Sequence, residues 1–130
     1  MPVEMSDAVK EVLDGSNFAH LTTLDPDGMP QASVVWAMRD GDRIVVNTAE
    51  GRRKWRNLKR DPRVAISISP GDAPYKNFSI QGKVVEMRTS DGWEVIDRLA
   101  LKYRGKEYPR AEGMVRVTVV IEPTRIAEYG

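Results

Sequence analysis

Most of the chain reads as short runs of strand character separated by turn-forming residues. Phe18 to Leu24 leads into the turn Asp25-Pro26-Asp27-Gly28, Pro30 to Met38 into the turn Asp40-Gly41-Asp42, and Arg43 to Thr48 completes a predicted meander. The β-branched run Val64 to Ile68 follows Asp61-Pro62. Asn77 to Met87 carries Gly82 inside a strand, where a bulge or bend is expected, and Met114 to Ile126 is a long Val- and Ile-rich run. Helical spacing is confined to three places. Ser6 can cap a short helix that places Val9, Val12 and Leu13 on one face and stops at Gly15, which predicts a lid across one end of the domain. Helices are also predicted from Gly51 to about Arg60 and from Asp91 to about Tyr103, the latter with Val95, Ile96, Leu99 and Tyr103 together. Six predicted strands with short helices between them favour a mostly β protein, a closed or nearly closed antiparallel barrel, over a parallel doubly wound sheet or a helical bundle.

Composition narrows the possibilities. A chain of 130 residues, 41% hydrophobic and 30% charged, forms one domain, 1–130, with a single substantial core. Its net charge of +1 supplies no global basic field of the kind that by itself suggests nucleic-acid binding, so any affinity for anions must come from local clustering, and no nucleic-acid partner is expected. The absence of cysteine removes disulfides, thiolate catalysis and Cys-ligated metals, and a single histidine, His20, builds no metal cluster. His20 sits in a strand run beside Phe18, Ala19 and Leu21, where a hydrogen-bonded structural role is the expectation. The stretch Met1 to Glu11 is acidic and amphipathic, and no segment approaches the roughly 20 apolar residues of a membrane span. The expectation is a cytoplasmic protein without a targeting segment or a membrane partner.

Against this neutral background, seven of the fourteen residues from Glu50 to Arg63 are cations. A charge run is most often a solvated helix face, and a nucleic-acid patch is a second alternative. Its position suggests more. It starts where a strand ends at Thr48, and Gly51 stands at the start of a helix whose first N–H groups lack partners. Arg53 offers a planar fork for phosphate oxygens, Lys54 a compact charge, and Thr48 a hydroxyl donor. Trp55 and Leu58 are spaced to turn inward and pack.

Thr48, Gly51, Arg53, Lys54, Leu58 and Pro62 together resemble the pattern of the FMN-binding split-barrel superfamily, which includes the pyridoxamine phosphate oxidases and the flavin- and deazaflavin-dependent reductases. The resemblance runs from about Ser6 to Glu128. The stretch Gly28 to Trp36 resembles the family's first cofactor strand, so the resemblance implies a six-stranded antiparallel split barrel with Ser33, Val35 and Trp36 at the edge of a flavin-like ring. Ser33 and Met38 stand where the oxidases carry basic residues, and Met114 to Gly130 lacks their substrate motif, so vitamin-B6 oxidation is not expected. The wording Gly51-Arg52-Arg53-Lys54-Trp55-Arg56-Asn57-Leu58 is similar to the actinobacterial members that use coenzyme F420, a deazaflavin with an acidic polyglutamyl tail.

That similarity implies a hydride-transferring reductase for a small unsaturated organic acceptor, with FMN as the alternative cofactor. Its cofactor-binding residues are expected to be Ser33, Val35, Trp36, Thr48, Arg52, Arg53, Lys54 and Asn57, with no protein nucleophile and no metal. Arg52, Arg56, Lys59 or Arg60 are candidates for the tail, and the loop Tyr103 to Tyr108 for tail or substrate contacts. The resemblance also implies a homodimer with the cofactor at the subunit interface. An FMN oxidoreductase and a non-catalytic cofactor carrier are the competing readings, and a nucleic-acid-binding module using the same basic helix comes third.

Overall fold

The structure is a computed structural model and describes residues 3–130. Its order is α1 (Asp7–Asp14), β1 (Ala19–Leu24), β2 (Pro30–Val35), β3 (Met38–Asp40), β4 (Arg43–Ala49), α2 (Arg53–Arg60), β5 (Arg63–Ile68), β6 (Phe78–Arg88), α3 (Gly92–Arg104) and β7 (Arg116–Glu128). The protein is mostly β, with one antiparallel sheet of seven strands in the order β2-β1-β5-β6-β7-β4-β3. The strands β2 and β3 lie at opposite edges of that order, yet only Trp36 and Ala37 separate them in sequence. Two residues span at most about 7 Å of extended chain. The sheet must therefore curl until its edges nearly meet, which makes a barrel with a seam.

This corrects two sequence expectations. The predicted strand Pro30 to Met38 breaks at Trp36-Ala37, which raises the count from six strands to seven. The predicted three-stranded meander is two separate hairpins, β1-β2 and β3-β4, on opposite sides of the seam. The break is fixed by side chains from α3. The Tyr103 hydroxyl accepts from the Ala37 N–H at 3.1 Å and donates to the Asn17 carbonyl at 2.6 Å. Lys102 Nζ donates to the carbonyls of Leu13 and Ala37 at 2.5 and 2.6 Å. These contacts take the backbone groups that a continuing strand would have paired.

Burial explains the sequence patterns. The strand β5 alternates exposed and buried residues, as a strand with one wet face does, whereas β4 from Ile44 to Ala49 is buried on both faces. Ile44, Val46, Val117, Val119 and Ile121 point into the barrel with Leu21, Ile66, Ile68 and Ile80. On the outer face Val45 and Val120 meet Val95, Ile96 and Leu99 of α3. The helix α1 has its Ser6 cap, with Val9 N–H donating to Ser6 Oγ at 3.3 Å, and adds Val9, Val12 and Leu13 to the barrel core. The expected irregularity at Gly82 is present as a register shift between Gln81 and Gly82, and an added Cβ there would stand 2.7 Å from the Glu122 carbonyl oxygen. No helix among the described residues is long and apolar enough to cross a membrane.

Candidate functional site

Beside the seam a cavity of about 200 Å³ opens between the end of β2, the start of α2, the inner face of α3 and the start of β7. One side is apolar, from Val34, Val35 and Trp36 of the seam and Ile96 and Leu99 of α3. Trp36 is half-buried and stacks on Tyr103, ring centres 5.6 Å apart. Tyr108 meets it edge-on at 6.1 Å. The loop carrying Tyr108 is tied to α3 through Asp97, whose carboxylate accepts from the Tyr108 N–H at 3.2 Å and from both Arg110 terminal nitrogens at 3.0 and 2.7 Å. Arg110 also lies over the Trp93 ring at 4.4 Å. The aromatic wall is thus fixed by contacts on both flanks.

The other side carries Arg52, Lys54, Arg116 and Asn47, and no carboxylate lines the cavity. Among the described residues none of these three cations forms an ion pair. Burial pushes the Lys54 ammonium below its usual range, and the neighbouring Arg52 and Arg116 charges push it the same way. Burial likewise lowers Arg116, with Arg52 adding repulsion. The helix α2 begins here with Arg52 as its N-cap, no side-chain cap and no acid in its first turn, so the positive end of the helix dipole adds to the same field. Such a set has the charge and donor chemistry that suits an oxyanion.

The expected site residues divide. Val35, Trp36, Arg52 and Lys54 line one cavity. Arg53 turns the other way and forms an ion pair with Asp25 of the β1-β2 turn, its Nε donating at 2.9 Å. That pair, with Asn57 second, holds the Asp25 carboxyl down at about 2. Asn57 is buried and its Nδ2 donates to Thr23 Oγ1 and Asp25 Oδ1, both at 3.0 Å, so it joins α2 to β1. The hydroxyls of Ser33 and Thr48 are buried without a hydrogen-bond partner and lie outside the cavity lining. Of the tail candidates, Arg56 donates to the Gly51 carbonyl, Arg60 to the Leu24 carbonyl, and Lys59 lies over Trp55 at 4.8 Å.

Arg116 and Asn47 were not foreseen. The signal was a lone cation opening the run Arg116-Val-Thr-Val-Val-Ile, and an amide inside the apolar run Ile44-Val-Val-Asn-Thr-Ala. Both runs read as doubly buried strands, in which a polar side chain needs a partner. The two partner each other, Arg116 Nε donating to Asn47 Oδ1 at 2.9 Å.

A barrel with a seam, and a cationic-aromatic cavity beside it, define a split barrel. Residues 5–128 match the family model described as pyridoxamine 5'-phosphate oxidase, and the chain belongs to that family. Among solved structures it is similar to an F420 reductase, 29% identical, covering 95% of this chain and 98% of that one with a TM-score of 0.86. A conserved hypothetical protein of Mycobacterium tuberculosis is 26% identical over 98% of this chain and 86% of that one, TM-score 0.74. A putative pyridoxamine 5'-phosphate oxidase of Listeria innocua shares the fold at 21% identity, 94% and 95% coverage and a TM-score of 0.72.

Proposed function

We propose that this protein is a reductase that binds reduced coenzyme F420 and delivers a hydride to a small unsaturated organic acceptor. The observation that carries the reading is the cavity itself, where an aromatic and aliphatic wall suited to a flat ring adjoins three cations with no acid beside them. The similarity over nearly the full chain to an F420 reductase supports the choice of cofactor.

In this reading Arg52 and Lys54 hold the phosphate, aided by the uncapped start of α2. Trp36 and Val35 border the ring. When bound, a reduced deazaflavin supplies a two-electron hydride from carbon and reacts little with oxygen. The chain supplies position and exclusion of water: the seam fixes Trp36 through Tyr103, and the Asp97-Arg110 pair holds Tyr108 against it. No group in the cavity lining is a nucleophile activated by a neighbouring base.

The reading includes a homodimer. The strand β2 is an edge strand, and Val34 at the cavity mouth is 57% exposed, so one side of the cavity is left for a second copy to cover.

Equilibrium titration of the purified protein with reduced F420 and with FMN, each followed by fluorescence, tests the assignment. Tight F420 binding with weak FMN binding is the expected result. Micromolar preference for FMN would overturn it in favour of a flavin oxidoreductase. Tight F420 binding without oxidation of the cofactor by enones, quinones or tetrapyrroles would mark a carrier.

A further inference from the structure

Arg116 is 3% exposed, yet no carboxylate neutralises it. Its Nε is held by Asn47 Oδ1 at 2.9 Å and its Nη1 points to Met114 Sδ at 3.5 Å, and the Tyr108 hydroxyl is the one further side-chain group that favours its charge. Asn47 is itself buried and fixed from the far side, its Nδ2 donating to the Gly92 carbonyl at 2.9 Å. The ring of Tyr108 lies 5.1 Å from the guanidinium carbon. A buried cation costs several kcal/mol unless something pairs with it, and here the nearest charges, Arg52 and Lys54, are of the same sign. A structural arginine would be expected to face an acid. This one faces a cavity.

We propose that Arg116 is an anion-contacting residue of this cavity, aimed by Asn47, so that a phosphate group is gripped from two elements, by Arg52 and Lys54 at the start of α2 and by Arg116 at the start of β7. The proposal rests on the cavity's being a ligand site as read above, but not on the identity of the ring that accompanies the phosphate. Its consequence is a trade of stability for binding. The ligand-free protein carries repulsion among three cations that Tyr108 offsets only for Arg116, and a bound phosphate removes it.

Thermal unfolding of the full chain with inorganic phosphate, titrated at constant ionic strength against chloride, reads both halves. Wild type gains Tm with phosphate. Arg116→Gln loses most of that gain, while its Tm without phosphate stays level or rises because a repelled buried charge has gone. An Arg116→Gln protein with a lower phosphate-free Tm and an intact phosphate gain would overturn the proposal and make the residue a structural one. Arg116→Lys keeps charge and bulk, and so remains informative should the glutamine variant not fold. Loss of the guanidinium fork weakens its phosphate affinity about tenfold, whereas unchanged affinity overturns the contact. A phosphate response that depends on Arg116 in a protein that ignores F420 would sink the proposed cofactor and leave this inference standing. F420 binding insensitive to Arg116 would do the reverse.

Discussion

Gly92 begins α3 where the helix presses on β7, and a Cβ at that position would fall inside contact distance of the Arg116 carbonyl group and 3.0 Å from the Arg116 Cβ. These atoms belong to the backbone of a doubly buried strand or are rooted in it, so Gly92→Ala is relieved only if α3 backs away by on the order of 1 Å. Overpacking of this kind costs about 1–3 kcal/mol. The same displacement strains the 2.9 Å bond from Asn47 Nδ2 to the Gly92 carbonyl, and a buried amide deprived of its acceptor costs about 1–3 kcal/mol more. Alanine's better helix propensity returns up to about 1 kcal/mol. The expected net loss is about 3 kcal/mol, a large share of a small domain's stability. Urea unfolding followed by tryptophan fluorescence measures it, since Trp93 is the next residue. Because Asn47 also aims Arg116, the phosphate-dependent gain in Tm should shrink in the same variant. A Gly92→Ala protein within about 0.5 kcal/mol of wild type, with its phosphate response intact, would refute the close docking of α3 on β7 and the role given to Asn47.

Other outcomes follow from the same geometry. Lys54→Met should weaken F420 binding by about tenfold or more, the value of a charge-assisted contact, whereas Arg53→Ala should change it by less than about threefold, because the Arg53 guanidinium is engaged by Asp25; equal effects in a fluorescence titration would place the phosphate on the other face of α2. A bound anion raises the pKa of Lys54, which in the free protein lies below the ordinary 10.5. Its contribution to affinity is therefore full below the free-protein value and is lost as pH rises through the value in the complex, so calorimetry in two alkaline buffers of different ionisation heat should show proton uptake on binding. Burial lowers Lys102 to about 8, so the folded state penalises its charge below that pH and stability should rise between about pH 8 and 10.5, by on the order of 1 kcal/mol after allowance for solvent screening of a half-exposed group. Lys102→Met should abolish that slope in chemical denaturation and, by freeing the Leu13 and Ala37 carbonyls, loosen Trp36, which is visible as a red-shifted tryptophan emission.

The strands were legible because period-two patterning and Asp-Gly turns are local signals, and the bulge at Gly82 because a glycine inside a strand has few other uses. The seam was not. Trp36-Ala37 continues the apolar run from Val34 to Met38, and what breaks it is the pair Lys102 and Tyr103, distant in sequence and delivered by α3. The cavity lining was legible in the same measure. The basic run located the cavity, but which cations face it depends on helix phase, and α2 starts at Arg53, two residues later than Gly51. That phase sends Arg52 and Lys54 to the cavity and Arg53 to Asp25. Arg116 comes from the far end of the chain, and no local spacing ties it to Lys54.

The seam and the site have one physical origin. A closed barrel pairs every strand on both sides, whereas here β2 pairs only with β1 and β3 only with β4. Unpaired strand edges invite aggregation, and proteins usually blunt them with proline, charge or a covering element. Here β2 begins at Pro30, and beyond its end at Val35 the backbone of Ala37 is satisfied by Lys102 and Tyr103. The edge remains open at Val34, at the mouth of the cavity. An open edge offers main-chain donors and acceptors at a fixed spacing, which suits the polar rim of a flat heteroaromatic ring. Across the cavity stand the cations at the starts of α2 and β7, of which Arg116 is held by a hydrogen-bonded frame of Asn47 and Gly92 that no ligand has to organise. Closing the seam with one more pair of backbone hydrogen bonds would stabilise the barrel and, on the proposed reading, leave the cofactor ring no edge to meet. On the proposed reading, the break at Trp36-Ala37 is therefore the point at which this sequence gives up sheet stability for binding.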